Sequence, residues 1–217
     1  MAQLFGPSAN TLSRVVFVTL IFAPFVVVGG LVGLQWSPLL TRMGATPEQP
    51  IPFSHKHHVG ELGLDCRYCH ATVEDTAFAG MPSTQVCMTC HSQLFTTVSM
   101  LAPVRGSLVS GAPLVWARVN ALPDYVYFDH SIHVTKGVGC AECHGPVRDM
   151  PLTRQAAPLT MGWCLGCHRD PGPHLRAPDA ITDTSFTAHN FTRQAAAFVR
   201  AYHIRPAHLT DCSVCHR

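Results

Sequence analysis

The sequence predicts a mainly helical protein with much irregular structure and one N-terminal transmembrane helix. Three observations support this prediction. Residues 15–34 form an uncharged stretch, ten cysteines fall in five copies of one short motif, and 17 prolines and 16 glycines are spread through 217 residues. Because proline and glycine interrupt regular structure, we expect short helices joined by loops after the N-terminal stretch.

The N-terminal stretch has the length of a membrane span. About twenty apolar residues in a helix cross the hydrocarbon core of a bilayer, and the flanking charges are Arg14 and Arg42. A cleavable signal peptide has a shorter apolar region of about 7–15 residues and a small-x-small cleavage site. Gly44-Ala45 leaves cleavage open as an alternative. We predict a membrane anchor over residues 1–42, with a transmembrane helix over about 15–34, followed by one domain over 43–217.

Every cysteine belongs to a C-x-x-C-H unit. Two thiols three positions apart can form thioethers to the two vinyl groups of one porphyrin, and the adjacent imidazole then reaches the iron. Zinc and redox sites also use C-x-x-C, and secreted chains form disulfides, but none of these requires the histidine. The pattern predicts five haem c groups. The attachment cysteines are Cys66, Cys69, Cys87, Cys90, Cys140, Cys143, Cys164, Cys167, Cys212 and Cys215, and the proximal ligands are His70, His91, His144, His168 and His216.

Five haems also shape the expected fold. Residues 51–217 would carry about one haem per thirty-odd residues, so the porphyrins would form much of the apolar interior that side chains usually provide. The predicted fold class is therefore a multihaem cytochrome c with haem packing like that of cytochromes c3 and c7. A net charge of +2 with neutral histidines argues against nucleic acid or a strongly acidic partner.

One element occurs twice in the sequence. The segments that begin at Phe53 and Phe128 both follow the pattern F-x-H-x-x-H, and each precedes two C-x-x-C-H units. We predict a two-haem module over 51–91, a linker over 92–127, a two-haem module over 128–170 and a C-terminal haem segment over 171–217. The aromatic residues of the linker and its end are expected to pack beside haems.

The repeated element has a mechanical rationale. Histidines at positions i and i+3 lie on one side of a helical turn, so one short helix can offer one imidazole to its own haem and another to a neighbouring haem. The predicted distal ligands are therefore His55, His58, His130 and His133. His57, one step round the helix, is expected to point elsewhere.

The fifth distal ligand has several candidates. His203 precedes Cys212 by nine residues, which resembles the spacings of eleven from His55 to Cys66 and ten from His130 to Cys140. This spacing favours His203. His208, His189 and Met150 stay open, and Met150 would give a His/Met haem of higher potential. His174, after a turn-like run at 170–173, is expected in an exposed loop.

Two ligands per iron leave no open coordination position, which argues against catalysis at iron. The sequence therefore predicts outer-sphere electron transfer, and no catalytic residue is assigned. A helix of about three turns is predicted where Phe191, Ala195, Phe198 and Tyr202 recur at helical spacing. Bacterial c-type haems are attached outside the cytoplasm, so residues 43–217 are expected to face the periplasm from the inner membrane, held by a single span.

Several segments together carry a family resemblance. The stretches FSHKHHVGELGLDCRYCH, MPSTQVCMTCH, WARVNALPDYVYFDHSIHV, LTMGWCLGCHRD and AYHIRPAHLTDCSVCHR resemble the pentahaem cytochrome subunit of alternative complex III, a bacterial quinol:electron-acceptor oxidoreductase. The resemblance covers essentially the whole chain. It implies three kinds of partner: an iron–sulfur subunit, polytopic quinol-binding membrane subunits and a monohaem cytochrome c subunit. It also implies that electrons from quinol pass to a cytochrome c-type acceptor or a terminal oxidase.

Two alternative functions differ from a relay within such a complex. A membrane-anchored multihaem quinol dehydrogenase would feed a periplasmic reductase, as the small tetrahaem proteins of nitrate and nitrite reduction do. The five motifs and the absence of a methionine shortly after His70 count against it. A multihaem reductase would need one haem without a distal ligand, and nine histidines outside the motifs are available for five irons.

Overall fold

The computed structural model describes residues 6–185 and 194–216. The chain divides into two compact units, Met1–Arg42 and Met43–Arg217. Within the described ranges the structure contains helices and turns but no strand, and one isolated antiparallel bridge joins Val138 to Leu175. The predicted fold class, mainly helical with much irregular structure, is confirmed.

The first unit contains one long helix, α1 (Ala9–Trp36), and one short helix, α2 (Pro38–Thr41). Helix α1 has 28 residues, longer than the predicted span because its first turns include polar residues. Its mean hydropathy reaches 2.7, and none of its residues is buried. A helix that is apolar all round suits a lipid environment. Among the described residues, it alone is long and apolar enough to cross a bilayer.

The second unit is built from short helices connected by loops. Its α-helices are α3 (Cys66–Cys69), α4 (Thr84–His91), α5 (Ala102–Ser110), α6 (His130–Thr135), α7 (Cys140–His144), α8 (Met161–Arg169), α9 (Ala195–Ala201) and α10 (Cys212–Cys215). Residues Lys56–Glu61 form a single π-helical turn. The 3₁₀ turns are Ser99–Leu101, Val147–Asp149, Gly172–His174, Pro178–Ala180 and Pro206–His208.

Each C-x-x-C pair lies in one of these helices, namely α3, α4, α7, α8 or α10. The helical conformation places residues three positions apart on the same side, so both thiols of a motif face the same way. Asp65 starts α3 because its carboxylate accepts a hydrogen bond from the Arg67 amide, and Thr160 does the same for α8 through the Trp163 amide. At these two motifs a polar residue therefore begins the helix.

The side-chain core of the second unit is small. In the described part of this unit the buried apolar side chains are Ile51, Val104, Met150, Ala157, Leu175 and Ile181. A unit of this length ordinarily buries many more. This composition suits a protein whose interior is shared with large apolar groups, as the sequence predicts.

The two predicted modules interlock through their F-x-H-x-x-H elements. The π-helical turn of the first copy contacts the 3₁₀ turn Val147–Asp149, and the Lys56 amide donates to the Met150 carbonyl at 2.9 Å. At the second copy, the amides of His130 and Ser131 donate to the carbonyls of Ala77 and Thr76, each at 3.2 Å. Each copy therefore lies against a loop of the other module.

The helix predicted between the last two motifs is present, but its described part is shorter than expected. It spans Ala195–Ala201, and Phe191 lies outside the described residues. Tyr202 follows it directly, and its hydroxyl donates to the Arg176 carbonyl at 2.6 Å. This bond connects the C-terminal segment to the loop after α8.

We predict that the contact between the two modules requires Gly60. A Cβ at this position would collide with the Arg148 carbonyl oxygen, so Gly60→Ala should lower the free energy of unfolding by about 1–3 kcal/mol. Gly106→Ala is the matched control, because no atom lies within 4 Å of its Cβ position and alanine favours a helix by about 1 kcal/mol. Thermal unfolding of the two variants should therefore shift in opposite directions, and equal shifts would contradict the prediction.

Candidate haem-binding sites

Six histidine rings form three pairs at nearly one spacing. Each pair joins a predicted distal ligand to a predicted proximal one, with ring centroids 6.3, 6.3 and 6.2 Å apart for His58–His91, His130–His144 and His133–His168. Two imidazoles bound through Nε2 on opposite sides of one metal would have ring centres about 6.3 Å apart, since each metal–nitrogen bond is about 2 Å and each nitrogen lies about 1.1 Å from its ring centre. The spacing fits bis-histidine coordination.

The remaining F-x-H-x-x-H histidine, His55, lies near His70. Burial lowers the pKa of His55 to about 4, and the neighbouring imidazoles of His70 and His58 contribute to this shift. A pairing of His55 with His70 agrees with the pairing seen in the second copy of the repeat. In the second copy, the first histidine faces the first motif of its module and the second histidine faces the second motif. His55 is therefore the predicted partner of His70, as His130 is of His144.

Backbone carbonyls fix the orientation of seven imidazoles. A carbonyl oxygen can only accept a hydrogen bond, so the Nδ1 atom facing it carries the hydrogen and the lone pair is left on Nε2. Metal-binding histidines commonly have this arrangement. The seven bonds join His58 to Ser54, His70 to Gly80, His91 to Leu94, His130 to Ala77, His133 to Asp129, His168 to Leu209 and His216 to Tyr125, at 2.7–3.2 Å.

Burial favours the neutral form of the His144 imidazole, which is the form that binds iron. Burial lowers the pKa of His144 to about 4, and the nearby rings of His130, His70 and His55 contribute to this shift. These four histidines are the predicted proximal and distal ligands of the first motif in each module. With the C-x-x-C-H motifs numbered 1 to 5 in chain order (66–70, 87–91, 140–144, 164–168 and 212–216), this shared influence on one pKa places the sites of motifs 1 and 3 side by side.

Each F-x-H-x-x-H copy uses its phenylalanine in the same way. The Phe53 ring stacks on His58 at 4.4 Å and 22° and meets His55 edge-on at 4.9 Å and 84°. Phe128 repeats this geometry with His133 at 4.5 Å and 27° and with His130 at 4.8 Å and 89°. One aromatic ring thus orients both imidazoles of its copy. Phe128 was expected from the sequence to pack beside a haem, but its role and that of Phe53 in orienting histidines was not predicted, although their recurrence in the repeat was a usable signal.

The motifs form a continuous row through their cysteines. Motifs 1 and 3 bond adjacent carbonyls of one loop, because Cys66 Sγ lies 3.9 Å from the Thr182 carbonyl and the Cys140 amide donates to the Ile181 carbonyl at 3.0 Å. Burial raises the pKa of Cys69, with a further contribution from Cys87 of motif 2. In the same way, the pKa of Cys143 is raised by burial and by the cysteines of motif 4, and that of Cys164 by burial and by Cys215 of motif 5. The spatial order is therefore 2–1–3–4–5.

Exposure of the thiols follows this row. All ten cysteines are unbridged, and Cys90 in motif 2 and Cys212 in motif 5 are exposed, whereas the other eight are partly buried. The ends of the row thus lie nearer solvent than its middle. Across the described residues, no group of three or more histidine, cysteine or acidic side chains could hold a metal ion, so the potential metal ligands come in pairs.

Segments outside the motifs hold the last two sites. The linker binds the fifth motif, because the Tyr127 amide donates to the Cys215 carbonyl at 2.8 Å and the Tyr125 ring lies 6.0 Å from the His216 ring. The turn Pro206–His208 contacts α8, next to the Leu209 carbonyl that holds His168. Aromatic residues of the linker therefore pack beside a motif, as expected.

Comparison with known proteins agrees with this geometry. Residues 51–102 match the family described as cytochrome c7 and related cytochrome c, and residues 106–213 match the family described as cytochrome c552. The chain is also 39% identical over 125 residues to a protein of Nitratidesulfovibrio vulgaris named menaquinone reductase, multiheme cytochrome c subunit. The aligned region covers 56% of this chain and 58% of that relative, so the chain spans a little over half the relative's length.

The chain is a multihaem c-type cytochrome. Both matched families contain c-type haem, and the two matches do not overlap, so haem-binding sequence extends over most of the cytochrome outside its N-terminal helix. The pairs of cysteines on one side of a helix and the pairs of imidazoles with free Nε2 atoms are the donor set that haem c requires. The residues present therefore fit this group.

Three other histidines pair with carboxylates instead. His57 bonds Glu61 at 2.8 Å, His174 bonds Glu142 at 2.7 Å, and His208 lies 3.6 Å from Asp211. The His57 ring meets that of His58 edge-on at 5.4 Å, but its Nδ1 is bonded to the Glu61 carboxylate.

The expectation of an exposed loop position for His174 was wrong. Its side chain is only 32% exposed and lies in the turn Gly172–His174. Burial raises the pKa of Glu142, but hydrogen bonds from His174 and the buried Arg176 hold it below its usual value. The acidic residue inside motif 3 draws His174 inward, a long-range contact that the sequence did not reveal.

The candidates for the fifth distal ligand are spread over the structure. His203 is exposed and has a left-handed backbone with φ of 52°, and among the described residues it pairs with no other histidine ring. Met150 is fully buried beside the π-helical turn, and His189 lies outside the described residues. The assignment of His203 stays a prediction.

Two polar side chains near the paired histidines were not predicted from the sequence. Thr153 Oγ1 lies 2.8 Å from Nδ1 of His55, and Asn120 Nδ2 lies 3.0 Å from Nδ1 of His144. Neither belongs to a motif, and they lie 98 and 24 residues from their histidines in sequence. No local pattern could have indicated them.

We predict that adjacent histidines in the first repeat respond differently to substitution. His58→Ala should remove an axial ligand and produce one high-spin haem, because His58 faces His91. His57→Ala should leave every haem low-spin, since the His57 imidazole is bonded to the Glu61 carboxylate. Electron paramagnetic resonance of the ferric proteins distinguishes the two. An unchanged spectrum for His58→Ala would exclude its assignment as a ligand.

Proposed function

We propose that this cytochrome is an electron-transfer subunit that carries five haem c groups and works within a quinone-linked respiratory membrane complex. The row of five motifs, closely spaced and exposed at both ends, is the observation that carries the proposal. A row of this kind suits transport of electrons through the protein better than chemistry at one centre.

The ligand arrangement supports a relay over catalysis at iron. Haem c bound through two cysteines and two histidines supplies a one-electron iron couple. For motifs 2, 3 and 4, a second imidazole faces the proximal histidine at bis-histidine spacing, and His55 lies near His70 for motif 1. These side chains would occupy both axial positions and exclude a substrate from the iron.

The exposed ends of the row indicate where redox partners would approach. Cys90 and Cys212 belong to motifs 2 and 5 and are the exposed thiols. Since electron transfer between proteins requires close approach of their cofactors, we propose that one partner docks beside motif 2 and the other beside motif 5. The motifs between them are shielded by the interlocked modules.

The partners are proposed from the relatives. The matched protein is named as the multihaem cytochrome subunit of a menaquinone reductase, which supports a quinone-linked complex for this chain as well. The sequence resemblance to the pentahaem subunit of alternative complex III makes the more specific proposal. In such a complex, the neighbours of this chain would be an iron–sulfur subunit, polytopic quinol-binding subunits and a monohaem cytochrome c subunit.

Helix α1 supports a membrane location. Its 28 residues and mean hydropathy of 2.7 suit a single span. Because c-type haems are attached outside the cytoplasm, we propose that residues 43–217 face the periplasm.

A second candidate is a quinol dehydrogenase that oxidises quinol in this chain and feeds a periplasmic reductase. The matched relative is named as the multihaem cytochrome subunit of a menaquinone reductase, which supports a role in quinone chemistry. The two candidates differ in whether the isolated chain oxidises quinol without partner subunits.

The relay proposal is tested by a redox titration of the purified cytochrome, alone and with its co-purifying membrane partners. We expect five haems per chain, all low-spin, because second imidazoles lie near the proximal histidines of motifs 1 to 4 and His203 is the predicted ligand at motif 5. Menadiol should reduce them in the complex but not in the isolated chain. Rapid reduction of the isolated chain would favour the quinol dehydrogenase. A high-spin haem that binds nitrite would exclude a pure relay.

We predict that α1 holds the chain in the membrane. Val26→Arg combined with Val27→Arg should release a large share of the protein from membranes at alkaline pH, since an arginine at the centre of a span costs about 2.5–3.5 kcal/mol. The matched control is Leu39→Arg with Leu40→Arg, beyond the end of α1. Immunoblots of pellet and supernatant measure the outcome. Equal release of both variants would contradict an anchoring role.

A further inference from the structure

The axial histidines differ in what holds their Nδ1 atoms. Seven bond to backbone carbonyls, whereas His144 is held by the side-chain amide of Asn120 and His55 by the hydroxyl of Thr153. His144 belongs to motif 3, and His55 is the predicted partner of His70 in motif 1. These two motifs are neighbours, because Cys66 and Cys140 bond the adjacent carbonyls of Thr182 and Ile181. Side chains, unlike backbone carbonyls, can be varied without moving the chain. In the middle of the row, side chains rather than backbone carbonyls make the hydrogen bonds to the axial histidines.

We propose that Asn120 and Thr153 are positioning residues that set the redox potentials of the two central haems, by orienting His144 and His55 and by raising their electron donation. The inference rests on the proposed haem occupancy. A hydrogen bond from Nδ1 of a metal-binding imidazole makes it a more basic ligand, and a more basic ligand stabilises ferric over ferrous iron. Loss of either bond should raise the potential of one haem.

The amide of Asn120 can meet this requirement in one orientation only. When Nε2 binds iron, Nδ1 carries a hydrogen, so the amide must present its oxygen. The Oδ1 atom of Asn120 is buried and has no hydrogen-bond partner when Nδ2 faces His144. Rotating the amide by a half turn exchanges the two atoms and gives the oxygen that partner. The Thr153 hydroxyl can accept the hydrogen from His55 without such a change.

Thr153 reaches His55 across the interlocked modules, whereas Asn120 reaches His144 from the linker. Thr153 follows the turn Val147–Asp149, which contacts the π-helical turn next to His55. Asn120 belongs to the linker that also binds motif 5 through Tyr125 and Tyr127. The linker without a haem motif thus supports motif 3 through a side chain and motif 5 through its backbone.

The test is a potentiometric titration with electron paramagnetic resonance on the haem-loaded full-length chain. Asn120→Leu and Asn120→Asp both keep the branch at Cγ but have opposite effects on the bond, because leucine cannot accept a hydrogen bond and a carboxylate accepts one more strongly than an amide does. We expect Asn120→Leu to raise the potential of one haem and change its g values, and Asn120→Asp to lower it. Thr153→Val should raise the potential of a different haem, and Thr153→Ser should restore it.

Gln49→Leu is the matched control. The Gln49 side chain makes two hydrogen bonds to the backbone of Ala117 in the same linker and is bonded to no histidine. If Asn120 only holds the linker in place, Gln49→Leu and Asn120→Leu will change the spectra alike, which would overturn the proposal. Shifts in the same direction for Asn120→Leu and Asn120→Asp would also overturn it. Fewer than five haems in the unaltered chain would instead refute the proposed function.

Discussion

The arrangement of this cytochrome depends on hydrogen bonds from histidine Nδ1 atoms to backbone carbonyls. Each such bond both orients an imidazole and leaves the Nε2 lone pair free for iron. Several acceptors lie far from their histidines in sequence, since Ala77 holds His130 and Leu209 holds His168 from other parts of the chain. At these sites, the histidine is oriented for iron only when the distant segment that supplies the carbonyl has folded against it.

The interlocked modules follow from this requirement. A chain with few buried apolar side chains cannot rely on a large core, so its loops are positioned by contacts to the haem-binding helices. The close approach of Gly60 to Arg148 joins the two modules, and the bonds of Cys66 and Cys140 to the adjacent carbonyls of Thr182 and Ile181 bring motifs 1 and 3 together. The row of motifs is a consequence of these contacts, and it makes a relay the function the geometry supports best.

The buried group around Glu142 adds a fixed charge pattern near the middle of the row. Its carboxylate lies inside motif 3 and bonds both His174 and Arg176, whose side chain is 1% exposed. Such a pair is costly to bury unless its members satisfy one another. Arg176 also donates to the Asp183 carbonyl and accepts from Tyr202 at its own carbonyl, so it connects motif 3 to both the loop after α8 and the C-terminal segment.

The sequence by itself determined the helical, loop-rich fold class, the apolar N-terminal helix and the ligand-bearing motifs, because each depends on local spacing: three positions between cysteines, three between histidines and about twenty apolar residues for a span. It also indicated which histidines of the repeat would face motifs. Only the tertiary structure decided the order 2–1–3–4–5, the inward position of His174 and the contacts of Asn120 and Thr153. These depend on residues far apart in sequence, and local periodicity carries no information about such contacts.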